Sequence, residues 1–176
     1  MAELDWTVAV RDVPAGGVTI ERIATSDERA GLAAALEILG IESLTLKARL
    51  RPRAGGRFML EADLQADVTQ ACVVTLDPVA TRVEGRLEID FRPADTIEEQ
   101  AEEELTGSAL DEPDVEPIEN GVIDLGRIVY EELASRLDPY PRAPGAELER
   151  TEAGPGADAA HPFARLAVLK RPVEEC

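Results

Sequence analysis

A thiol at Cys72 is followed three residues on by Thr75, where a Cys-x-x-Cys turn would hold its second metal-binding thiolate. A hydroxyl in that place makes no zinc site. No basic residue adjoins Cys72 to draw its thiol toward the reactive form. It continues the apolar parity of Leu64 and Val68, so it reads as a buried structural cysteine. The other cysteine, Cys176, is the last residue of the sequence. His161 is the single histidine and lies beside a stretch rich in Gly and Ala. It has no nucleophile or ligand companion nearby, so neither general-base work nor metal binding follows from it. Gly16-Gly17 and Gly55-Gly56 are turn signals, and no nucleotide fingerprint accompanies them. The acidic pairs between 94 and 119 lack the glycine and spacing of a calcium loop. The chain is therefore expected not to be an enzyme, and to use no metal and no cofactor.

Two groups remain whose chemistry is recognition. Lys47, Arg49, Arg51 and Arg53 form a basic strip along one strand face. Lys47 and Arg49 meet acids across a hairpin. Arg51, Arg53 and Arg57, with Arg82 near them, stay unpaired at its tip and are candidate phosphate contacts. The stacking aromatics of single-strand binders are absent there. The second group is Leu137-Asp138-Pro139-Tyr140-Pro141-Arg142-Ala143-Pro144-Gly145. Its prolines fix φ, remove donors and extend the residues before them. Such a strap is pre-ordered. It serves as a rigid linker, staples a tail onto its own domain, or offers itself to a partner. Asp138, Pro139, Tyr140, Pro141 and Arg142 are candidate partner contacts, with Phe163 and Leu166 of the segment 162–170. Alternatively, Tyr140 and Phe163 complete a thin core.

The elements that position these groups are legible as patterns. Thr25-Ser26-Asp27-Glu28 has capping-box spacing. Leu32, Leu36 and Leu39 follow, with Gly40 as the C-terminal cap, which predicts a helix over 26–39. A strand is expected over 18–23. From Leu44 to Arg51 apolar and polar residues alternate, Arg53 to Arg57 reads as a hairpin loop, and the return strand alternates through Val68. Closing at Gly55-Gly56 sets Leu50 opposite Leu60 and Leu46 opposite Leu64. The same register sets Arg49 opposite Glu61 and Lys47 opposite Asp63. Apolar and charge pairing thus agree on one register. A third strand spans 79–91, with Val83, Leu87, Ile89 and Phe91 inward and Arg82, Glu84, Arg86, Glu88 and Asp90 outward. Asp124 caps a helix whose stripe is Leu125, Ile128, Val129, Leu133 and Leu137, ending before Pro139. The fold class is α+β: an antiparallel meander of about four to six strands, with barrel-like closure open to it, covered by two helices.

The 176 residues suit one domain plus tails: a domain over 1–146, and a flexible tail over 147–176 carrying the helix-like motif 162–170. Net charge is −18, from 18 basic and 36 acidic residues. Residues 94–119 hold eleven of those acids and no base, so this insert is expected to be disordered or loosely helical. Such a surface repels phosphate backbones at long range. DNA is not an expected partner, and RNA contact is confined to a local basic patch. Two cysteines fit a reducing compartment. No signal-peptide core or bilayer-length apolar run occurs. A cytoplasmic protein without a membrane partner is expected.

Four segments carry a family resemblance: Cys72-Val73-Val74-Thr75-Leu76-Asp77-Pro78-Val79, Asn120-Gly121-Val122-Ile123-Asp124-Leu125-Gly126, Leu137-Asp138-Pro139-Tyr140-Pro141-Arg142, and Pro162-Phe163-Ala164-Arg165-Leu166-Ala167-Val168-Leu169-Lys170. In this order, with an acidic insert between the first two, the chain resembles the YceD family, the large ribosomal RNA subunit accumulation proteins, in the flavour of its alphaproteobacterial branch. The resemblance implies a non-enzymatic ribosome-biogenesis factor. Its partner would be ribosomal RNA, a basic ribosomal protein or an assembly intermediate. Many relatives carry a Cys-x-x-Cys where this chain has Cys72 and Thr75, so a metal role in them does not pass to this chain. The alternative function is an acidic adaptor for one basic protein, with no ribosomal role.

Overall fold

Alternation over three long segments dictates the centre of the molecule. In the computed structural model, which describes residues 4–94, 96 and 114–147, β2 (Val18–Ile23), β3 (Gly40–Pro52), β4 (Phe58–Ala71) and β5 (Pro78–Pro93) follow one another in a sheet. They pair antiparallel in chain order, and β6 (Asp114–Ile118) completes the edge parallel to β5. β1 (Thr7–Ala9) pairs with β7 (Val122–Asp124) in a separate two-stranded ribbon. The described residues belong to one compact unit, Met1–Ala146, apart from Glu147. The class is α+β. The sheet is open, with β2 and β6 as its edges, so barrel-like closure does not occur.

The hairpin register is the one that the two kinds of pairing demand. Leu50 faces Leu60, Leu46 faces Leu64, Arg49 faces Glu61 and Lys47 faces Asp63. A slip by one residue would put every leucine of the inner face into water. That inner face carries Leu44, Leu46, Ala48, Leu50, Leu60, Ala62, Leu64, Ala66, Val68, Val83, Leu87, Ile89 and Phe91, all buried. It is covered by α1 (Ser26–Ala35) through Leu32 and Ala33. α2 (Leu125–Arg136) covers it through Leu125, Ile128, Val129 and Leu133.

α1 begins as its capping box predicts: the Glu28 N–H reaches the Thr25 hydroxyl and the Glu28 carboxylate accepts from the Thr25 N–H at 2.7 Å. That backbone bond, with further donors from the Thr25 hydroxyl and the Trp6 indole, holds the Glu28 carboxyl below its ordinary pKa. The helix ends earlier than the expected 26–39. Its last turn is closed by Ile38 N–H on Ala33 O at 3.0 Å and Glu37 N–H on Ala34 O at 3.3 Å. This is a Schellman closure, with Glu37 taking the left-handed position (φ 56°) in place of a glycine. Ile38 is thereby turned onto the core, Leu39 is exposed, and Gly40 opens β3 instead of capping the helix. α2 starts at Asp124, whose side chain accepts from Arg127 N–H, and stops before Pro139 as expected.

The acidic insert needs a second correction. Asp114–Ile118 is a strand, not a disordered loop, because its backbone groups are taken up by the last part of β5. Arg127 of α2 then neutralises Glu116 at 2.7 Å and Glu131 at 2.9 Å. Asn120 and Gly121 both adopt positive φ in the turn between β6 and β7, the conformation an Asn-Gly turn supplies at least cost. Residues 95 and 97–113 of the insert lie outside the described residues.

Candidate functional site

The two groups of candidate residues lie at opposite ends of β4. That strand runs 14 residues from Phe58, next to the hairpin tip, to Ala71, next to Cys72, which is about 40 Å of extended chain. The structure does not bring them into one site.

At the tip, most of the expected unpaired arginines are occupied. Arg51 pairs with Glu61 at 2.9 Å and Arg57 with Asp90. Arg82, expected near the tip, instead stands opposite Asp67 toward the Cys72 end of β4, where it pairs with Glu84 at 2.8 Å and with Asp67 at 3.9 Å. Arg53 forms no ion pair among the described residues. The correction follows from Asp90, expected on the outer charged face of its strand but buried in the structure. β6 lays Val115 beside it in register, and Arg57 and Arg92 close over its carboxylate. Burial pushes the Asp90 carboxyl up, but hydrogen bonds from Arg57 and then Arg92 outweigh it and hold the pKa below the ordinary value. The tip is thus a set of internal charge pairs. Lys47 likewise reaches Glu21 of β2 at 3.7 Å, beyond its register partner Asp63.

The other end is built by backbone groups. The chain leaves β4 at Ala71 and closes a turn in which Cys72 N–H donates to Asp77 O at 2.8 Å and Leu76 N–H to Cys72 O at 2.9 Å. The turn wraps the Cys72 sulfur, which accepts from the N–H groups of Val74 and Thr75, each at 3.4 Å. The strap arrives from α2 and supplies the rest. Gln70 Nε2 donates to Asp138 O at 2.9 Å, Val73 N–H to Pro141 O at 2.8 Å, and Ala143 N–H to Cys72 Sγ at 3.3 Å. Cys72 is fully buried, as its parity implies. The N–H of Ala143 first, then the Thr75 hydroxyl and N–H, lower its thiol pKa to about 6 against the opposing effect of burial, with Val74 N–H assisting.

The strap therefore staples itself to its own domain, through main-chain atoms. Pro141 is buried, whereas Asp138, Pro139 and Arg142 are exposed. Tyr140 is 72% exposed; it does not complete the core, and its N–H is held by the Asp138 carboxylate at 2.8 Å. Phe163, Leu166 and the segment 162–170 lie outside the described residues. Sequence reasoning missed Gln70, Val73 and Leu76. The polar Gln70 on an otherwise apolar strand face was the available signal for the first. Leu76 has φ 64° and is 76% exposed, and no sequence pattern announces either property. Among the described residues no three His, Cys, Asp or Glu side chains are placed to hold a metal ion, and no helix is long and apolar enough to cross a membrane.

The turn and strap contain the first and third of the segments on which the family resemblance rests. A family model described as large ribosomal RNA subunit accumulation protein YceD matches residues 60–170, more than half of the chain. No curated protein matches. No solved structure matches either.

Proposed function

This chain belongs to the YceD family, large ribosomal RNA subunit accumulation proteins, and from that premise we propose that it supports accumulation of large-subunit ribosomal RNA by binding, without catalysis, in the cytoplasm. Its partner is an RNA, a basic ribosomal protein or an intermediate in assembly. The observation that carries this reading is the joining of Cys72–Asp77 and Asp138–Ala143 into one assembly that leaves Tyr140 and Leu76 in solvent. Its fully buried thiol is enclosed by backbone donors, an arrangement suited to shaping a surface and unsuited to attack on a substrate.

The test is the ratio of large- to small-subunit ribosomal RNA, with sucrose-gradient profiles, in cells that lack this chain. A selective fall in the large-subunit RNA is expected. An unchanged ratio and profile would sink the reading and leave an acidic adaptor without a ribosomal role.

A further inference from the structure

The inner face of the sheet is already covered by α1 and α2, so apolar side chains left in water elsewhere have no part in the core. Three of them belong to the turn and strap joined at the Cys72 end: Val73 is 46% exposed, Leu76 76% and Tyr140 72%. Leu39, 58% exposed, lies at the same end, its N–H bonded to Thr69 O of β4. Their presentation is fixed. Val73 is tied to the strap through Pro141 O, Tyr140 to Asp138, and Leu76 to Cys72 O. Leu76 also holds a left-handed backbone, φ 64°, which a glycine would adopt without strain. A branched apolar residue in that conformation, facing solvent, costs stability and returns nothing to the isolated fold. Strain of this kind points to use.

The charge around these side chains selects the occupant. Asp77 follows Leu76, and Asp138 precedes Tyr140 by two residues; Arg142 is the single base in the two segments. The whole chain carries −18, a field that repels a phosphate backbone and draws in cations. We infer that Val73, Leu76 and Tyr140 form a docking surface for a basic protein segment that carries apolar anchors. Apolar contact at the centre with acids at the rim gives affinity and steering respectively. This deepens the proposed function and rests on it for the choice of probe.

The experiment uses the full chain, immobilised, and challenges it with the proteins extracted from large ribosomal subunits and, separately, with large-subunit RNA stripped of protein. The wild-type chain is expected to retain one or a few basic proteins in a salt-sensitive manner. The triple variant Val73→Ser, Leu76→Ser, Tyr140→Ser is expected to bind them about tenfold more weakly or worse with its melting temperature preserved. Leu76→Gly alone is expected to weaken binding while raising the melting temperature, a combination that misfolding cannot produce. Equal retention by the triple variant, retention of the RNA in place of protein, or no protein retained by the wild type overturns the surface. In cells lacking the chain, the triple variant is expected not to restore large-subunit RNA. Full restoration by it overturns the surface while the biogenesis reading stands. An unchanged RNA ratio on loss of the chain ends the biogenesis reading, and the surface is then decided by the capture result.

Discussion

Ala143 donates its backbone N–H to the sulfur of Cys72 at 3.3 Å across 71 residues of sequence. This bond joins the exit of the strap to the turn after β4, and it is made by an atom that every residue except proline possesses. The adjoining contacts, Val73 N–H on Pro141 O and Gln70 on Asp138 O, likewise use main-chain atoms of the strap, here as acceptors.

Replacing Cys72 by alanine removes the acceptor of three N–H groups and leaves a small void. A loss of about 2 kcal/mol is expected, read from chemical denaturation. Amide exchange at Ala143 and Val73 should accelerate more than exchange in the hairpin of β3 and β4. Equal acceleration in both places would show that the sulfur does not hold the strap.

The same thiol makes stability depend on pH. Its folded pKa of about 6 lies below the ordinary value of about 8.5, so the folded state binds the proton less readily than the unfolded chain. The resulting stabilisation is complete above the unfolded pKa and is lost as pH falls through the folded one. The advantage of wild type over Cys72→Ala should therefore grow from pH 6 to about 8.5, measured as the difference in unfolding free energy across that window.

Gly126 marks a contact that admits no side chain. A Cβ placed there would stand 1.9 Å from Leu4 O, in the segment whose Trp6 O accepts from Leu125 N–H and whose indole reaches Glu28. Gly126→Ala is expected to cost about 2–4 kcal/mol and to change the fluorescence of Trp6. Gly16→Ala meets nothing within 4 Å and is the matched control, with a change near zero.

Asp90 sets the response of the hairpin tip to acid. Its pKa is depressed by Arg57 and Arg92 in spite of burial, so its contribution is present above the ordinary carboxylate range and is lost as pH falls through and below it. Asp90→Asn should cost about 2 kcal/mol at neutral pH. The gap to wild type should close as the pH drops below about 4, followed by thermal unfolding at stepped pH. A constant gap would mean that the two arginines do not act through the charge.

Leu46, Leu50, Leu60 and Leu64 were readable from the sequence because strand alternation repeats a side-chain signal, and the opposing charges repeat it again on the other face. Leu125, Ile128, Val129 and Leu133 were readable for the same reason at helical spacing. Asp114–Ile118 was not, because its charge density masks a strand that is stabilised by backbone pairing with β5. Arg51 and Arg57 were misjudged because their acids, Glu61 and Asp90, come from diagonal or non-adjacent positions that only the assembled sheet defines. Apart from the polar Gln70, the anchoring of the strap left no trace, since the backbone N–H donors of Val73 and Ala143 impose no residue type.

Because the turn at Cys72 is completed by an amide 71 positions later, the end of the molecule that bears Leu76 and Tyr140 is a composite epitope. A nascent chain stopped before Ala143 cannot display it, however well its hairpins have formed. A partner docking on Leu76 and Tyr140 would therefore meet that surface only on chains that extend through Ala143.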